Sequence, residues 1–133
     1  MPAIGTITLN GLSGADHVFA PFGVDPKNVA TFLKAGTSPV ADEKLTVSVT
    51  RLPNNGKIRT LLKLTIPKVQ DVDVGGVTRP TVVRTINVVC ELSSDATSTE
   101  SERTEAMTLL LSALNTDDAP TVMPTFLKAQ PYF

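Results

Sequence analysis

Few side chains in this 133-residue chain can do covalent or acid–base chemistry, and their spacing does not bring them together. His17 is the one histidine and Cys90 the one cysteine. A Ser–His or Cys–His nucleophile would have to use His17, which falls inside a short strand-like stretch and reads as structural. Cys90 alternates with Val88 and Leu92, so a buried, inert thiol is expected. One cysteine and one histidine do not make a zinc site, and no metal or cofactor is expected. The run DVGGV lacks the lysine and spacing of a phosphate loop. GLSG has the GxxG of some RNA-binding modules without their flanking helices, and reads as a hairpin turn. Asp71 and Asp73 fall in a stretch expected to face solvent. These residues do not describe an enzyme.

A different chemistry lies in the charge distribution. Residues 44–68 carry six cations (Lys44, Arg51, Lys57, Arg59, Lys63 and Lys68) and no acid. Residues 93–118 carry six acids (Asp95, Glu100, Glu102, Glu105, Asp117 and Asp118) against Arg103 alone. The formal net charge of −1 therefore conceals a basic centre and an acidic C-terminal third. Such asymmetry points to a polyanion near the basic part. The bland alternative is a solvated surface with its charges sorted by chance.

The elements that position those cations read as strands. In LTVSVTRL, Leu45, Val47 and Val49 alternate with Thr46, Ser48 and Thr50. The turn-forming PNNG follows. KIRTLLKLTI then alternates again, with Ile58, Leu62, Leu64 and Ile66 opposite Lys57, Arg59, Lys63 and Thr65. Leu61 is the one apolar residue on the polar side. This spacing predicts a long hairpin with a dry face and a basic, hydroxyl-rich face. Before it, residues 6–9 and 17–21 flank NGLSGAD as an opening hairpin, and 29–34 form a weak strand. After it, Pro67 is expected to end the strand and residues 69–80 to form an extended loop. Residues 81–92 read as a strand with Ile86, Val88, Cys90 and Leu92 on one face and Thr85, Asn87, Val89 and Glu91 on the other.

The last third changes period. Thr99 followed by Glu102 matches a capping box, and Met107, Leu110, Leu111 and Leu114 form one stripe of an amphipathic helix. Residues 115–118 stop it, and a second, shorter helix is expected over 121–129, limited by Pro124. The expected class is α+β: an antiparallel sheet followed by two C-terminal α-helices in a single domain over 1–133. The helices are the candidates to cover the apolar face, leaving the other wet. A hydrophobic fraction of 41% and a charged fraction of 19% are those of an ordinary globular protein. No apolar run reaches membrane-spanning length. The opening MPAIGTITLN lacks the basic start and apolar core of a signal peptide. A lone cysteine excludes an intrachain disulfide and suits a reducing cytoplasm.

The order of segments resembles the coat proteins of small single-stranded RNA bacteriophages, the levivirus group that includes Q-beta. GVDPKNVATFLKAG leads to EKLTVSV, then a turn, then KIRTLLKLTIPKV; VGGVTRP, a strand, the STESER helix start and a final PYF follow. The resemblance covers nearly the whole chain. It implies homodimers whose two chains share one continuous sheet, each laying its helices across the other, so that Met107, Leu110, Leu111 and Leu114 form the dimer interface. It implies an icosahedral shell made in the bacterial host cytoplasm, with the sheet facing RNA and the helices outward. The stretch Val69, Gln70, Asp71, Val72, Asp73, Val74, Gly75, Gly76, Val77, Thr78, Arg79 and Pro80 would meet its copies around the symmetry axes. It holds no cysteine, so disulfide-linked rings of the kind some relatives form are excluded.

The resemblance also implies binding of one RNA hairpin and repression of replicase translation. Thr46 and Ser48 match the pair lining a pocket for an unpaired adenine. Lys57, Arg59 and Lys63 match contact positions on the adjacent strand, and Thr50 and Thr65 share their face. Leu61 and Val89 stand where polar contacts are usual, and Asn87 where an aromatic stacks on a loop base, a contact worth about 1–3 kcal/mol. The competing expectation is a cellular dimeric RNA- or ligand-binding module that forms no shell.

Overall fold

Strict alternation over residues 45–50 makes the middle of an antiparallel sheet. In the computed structural model, residues 4–11, 14–53, 56–115, 117–118 and 120–129 are described. They divide into two compact units, one up to Ser93 and one from Ser94 onward. The first holds β1 (Ile7–Asn10), β2 (Asp16–Val24), β3 (Val29–Lys34), β4 (Glu43–Arg51), β5 (Ile58–Val74) and β6 (Val77–Ser94), the last reaching one residue past the division. Among the described residues these strands follow one another in space in chain order. The second unit holds α1 (Glu100–Leu114) and α2 (Val122–Lys128). The expected class, antiparallel strands followed by two helices, is the observed one.

Register assigns each face. Phe32 lies opposite Leu45 and Leu45 opposite Leu64, while Ala30, Val47 and Leu62 form the adjoining row. Phe19, Phe32 and Leu45 are the buried core, packed by Ile7, Ala30, Val47 and Leu64. Phe19 and Ile7 come from the first two strands, so the opening hairpin covers the centre of the apolar face. The expectation that only the helices could do so is corrected here. The geometry follows from β2, whose first half (16–19) pairs with β1 and whose second half (20–24) pairs with β3. A register shift between Pro21 and Gly23 bends the strand and turns Phe22 out, 75% exposed. Proline has no N–H to lose at such an irregularity.

His17 fastens this hairpin to the sheet. Its Nδ1–H donates to Glu43 Oε2 at 2.8 Å, and Lys34 Nζ lies 3.8 Å from the other carboxylate oxygen. A Cβ on Gly11 would lie 2.7 Å from the imidazole, so the ring requires glycine there. The structural role expected for the histidine is the observed one.

The extended loop expected over 69–80 is strand and turn instead. Val69, Gln70, Asp71, Val72, Asp73 and Val74 continue β5, and Val77, Thr78, Arg79 and Pro80 begin β6. Gly75 and Gly76 make the two-residue turn with φ of 61° and 82°, the doubly positive combination that such hairpins need and glycine supplies. Pro67 does not end β5 because β4 no longer pairs there; the last register pair is Lys44 with Thr65. Pro80 lies on the outermost strand, where a missing donor is tolerated.

The predicted capping box is present. Glu102 N–H donates to Thr99 Oγ1 and Thr99 N–H to Glu102 Oε2, at 3.3 and 3.0 Å. Arg103 adds bonds to the Ser98 carbonyl and hydroxyl at 2.7 and 2.9 Å. Asn115 ends α1 by donating its N–H to the Ser112 carbonyl. α2 begins one residue later and ends one earlier than expected, with Pro124 in its first turn and Ala129 left-handed at its end. The residues PYF, and Asn54 and Asn55 of the expected PNNG turn, lie outside those described; Leu52 N–H donates to the Lys57 carbonyl across that connection.

Candidate nucleic-acid interface

The parity that buries Leu45 and Leu64 sends the alternate side chains to the opposite face. There Thr46 lies directly opposite Lys63, Ser48 opposite Leu61, Thr50 opposite Arg59 and Lys44 opposite Thr65. Direct cross-strand partners hold their Cβ atoms about 4.5–5.5 Å apart, so hydroxyls and cations form one mixed surface. Thr46 and Ser48 are half-buried, whereas Thr50, Arg59 and Lys63 are exposed. Lys57 is exposed just before β5.

The neighbouring strand joins the same face through two side-chain contacts. Thr65 Oγ1 donates to Asn87 Oδ1 at 3.1 Å, and Arg59 Nε donates to Glu91 Oε1 at 3.0 Å. Val89, between them in the alternation, is 57% exposed. Thr46, Ser48, Thr50, Arg59, Leu61, Lys63, Thr65, Asn87 and Val89 are thus brought together on one side. Glu91 was placed on this face by alternation but not recognised as a site residue. It sets an acid against a cation in a surface that local charge counting presents as purely basic. With Arg59 57% and Glu91 44% exposed, the pair contributes about 0.2–1 kcal/mol at most. Its larger effect is to engage Arg59, whereas Lys44, Lys57 and Lys63 have no ion pair among the described residues.

The other named residues lie elsewhere. Residues 69–80 form the distal end of the β5–β6 hairpin, with Val74 60% and Val77 53% exposed. On α1, Met107 is half-buried, Leu110 and Leu114 are exposed at 37% and 38%, and Leu111 departs from the stripe at 65%. Cys90 is half-buried rather than buried, because β6 is the last strand of the sheet. No group of metal-ligating side chains occurs among the described residues, and no described helix is long and apolar enough to cross a membrane.

The strand order and the two helices that follow it have counterparts in known proteins. Residues 2–133 match the family model described as levivirus coat protein. The chain belongs to the levivirus coat protein family. The capsid protein of Pseudomonas phage PRR1 is 34% identical over 102 residues, spanning 77% of this chain and 76% of that protein. Among solved structures, the virus-like particle of Beihai levi-like virus 21 superposes with a TM-score of 0.85 at 28% identity, covering 99% of each chain. The capsid protein of bacteriophage GA has the same fold, with a TM-score of 0.75 at 18% identity over 98% of this chain and 97% of that one. The coat protein is therefore a structural subunit and not an enzyme.

Proposed function

We propose that the coat protein assembles as homodimers into an icosahedral shell, encloses single-stranded RNA against the Lys63 face of its sheet, and holds an RNA hairpin there as a repressor of replicase translation. The observation that carries this reading is the register that sets Thr46 against Lys63 and Thr50 against Arg59 on one accessible face. Cations there attract phosphates with a salt-sensitive affinity, and hydroxyls and amides can bond the edges of unpaired bases. Family membership supports the shell, since the Beihai levi-like virus 21 relative is itself a virus-like particle.

The dimer reading rests on β6, an outermost strand of 18 residues, exposed from Val77 through Val89. A long bare edge invites uncontrolled pairing, and pairing it once with an identical copy about a two-fold axis removes that hazard. The apolar side chains of α1 then lie across the partner's sheet, with Met107, Leu110, Leu111 and Leu114 in the interface. The hairpin end, residues 69–80, meets its copies around the symmetry axes.

Expressed alone, the wild-type protein should form uniform particles by electron microscopy, with the absorbance ratio at 260 and 280 nm of enclosed RNA. A cellular dimeric module would remain a small species on sizing chromatography. Changing both Arg59 and Lys63 to Ala lowers RNA content and reduces the log–log salt slope of binding by about 1–2, as expected for one or two lost phosphate contacts. Unchanged RNA content and slope would place the RNA surface elsewhere.

A further inference from the structure

β6 carries two polar side chains that are each half engaged within the chain. Asn87 Oδ1 accepts from Thr65 Oγ1 at 3.1 Å, and Glu91 Oε1 accepts from Arg59 Nε at 3.0 Å. The Asn87 NH2 and Glu91 Oε2 have no hydrogen bond among the described residues, and both residues are exposed. One group is a donor and the other an acceptor. Four positions apart on one strand, they are separated by about 13 Å and do not meet. A second copy of the strand can bring them together.

Two-fold symmetry limits how two copies of β6 pair. Side chains alternate faces along a strand, and directly opposite residues of an antiparallel pair share a face. A two-fold axis perpendicular to the sheet therefore passes between one residue and its own copy. Residues equally far from that point on either side then face each other. With Val89 on the axis, Asn87 faces the partner's Glu91, and symmetry repeats the contact. On the other face Val88 meets the partner's Cys90, and Ile86 meets the partner's Leu92. Arg84 meets the partner's Ser94, which can accept from it.

No other axis between Ile86 and Glu91 matches the side chains in this way. An axis at Val88 sets Arg84 against the partner's Leu92, and one at Cys90 sets Glu91 against the partner's Val89. An axis at Glu91 brings two carboxylates together. At Asn87 or Ile86, Arg84 falls against the partner's Cys90 or the partner's Val88. Like charges directly opposite are destabilising, and so is a charge covered by an apolar side chain.

We infer that β6 pairs with β6 of a second copy in the register that centres Val89 on the two-fold axis, each Asn87 NH2 donating to the partner's Glu91 carboxylate. The inference rests on the homodimer reading above and adds which residues meet. Each Glu91 then bridges Arg59 of its own chain and the partner's Asn87, so that the polar face continues from one protomer to the next.

Cysteine cross-linking reads this register directly, because disulfides join Cα atoms about 4.4–6.8 Å apart and not those beyond about 7 Å. Ile86→Cys, Asn87→Cys, Val88→Cys, Val89→Cys and Glu91→Cys are each made in the Cys90→Ala protein. The wild type supplies the cysteine at position 90. Purified particles are oxidised with diamide, and linked dimers are measured on non-reducing denaturing gels. Val89→Cys gives at least fivefold more linked dimer than any other single cysteine. The wild type stays unlinked, because Cys90 lies about 7–8 Å from its copy in this register. Asn87→Cys and Glu91→Cys combined also link, although neither does alone. In solution, Asn87→Asp sets acid against acid and raises dimer dissociation about three- to tenfold. Adding Glu91→Gln brings it back to within about twofold of wild type. The highest yield at another position, wild type included, or no weakening by Asn87→Asp, would overturn the inference and leave the homodimer reading standing. Linked dimers from none of these proteins would overturn both.

Discussion

The two ends of the sheet differ in how much of their packing the chain supplies for itself. At one end, β1 and the first half of β2 fold over β3, β4 and β5, and Phe19 is sealed to 1% exposure against Phe32 and Leu45. At the other end, Ile86, Val88 and Val89 on β6 are all more than half exposed. One end is a small finished core, and the other is a finished backbone geometry with unfinished burial. The difference teaches that this sequence encodes an assembly unit. Apolar surface is left open at the β6 end, in keeping with the self-association of a coat protein and with the pairing proposed above.

That contrast can be broken at either end. The largest effect is expected at the finished one. Phe19→Ala removes the most buried side chain and costs about 3–5 kcal/mol, read as a lower denaturant midpoint or loss of soluble particles. A cost under about 1 kcal/mol would mean that the hairpin is not the core. A smaller effect is expected at the open end. Changing Ile86 and Val88 to Lys together leaves the Phe19 cluster intact, since neither residue touches it. Both side chains are about half exposed, so the apolar burial they can still gain is worth about 2–3 kcal/mol together. Sedimentation should show dimer dissociation raised roughly thirty- to a hundredfold, with unchanged far-ultraviolet circular dichroism. Undiminished dimers would show that the second copy does not use this strand.

The same two ends were unequally legible in the sequence. The β4–β5 hairpin and its polar face could be read because period-two alternation is local and uninterrupted from Leu45 to Thr50 and nearly so from Ile58 to Ile66. The capping box at Thr99 and Glu102 is likewise local. The distal hairpin was misread because Pro67, Pro80 and the Gly75–Gly76 pair outweighed a real alternation in Asp71, Val72, Asp73 and Val74. Those prolines fall where pairing had ended or on the outermost strand, which only topology reveals. Phe19 as the centre of the core depends on the bend in β2, and that bend depends on which partner each half finds. Of the site, the residues on β4 and β5 were readable as a face. The pairing of Glu91 with Arg59 joins residues 32 apart in the chain, and no local pattern announces it.

The most direct measurement is a reconstruction of the particles formed by the purified protein, with the RNA density retained. The account predicts that Arg59 and Lys63 line the inner wall against that density, with β6 of each chain running beside β6 of its partner. Finding those two cations on the outer surface, or β6 paired with no second copy, would contradict it.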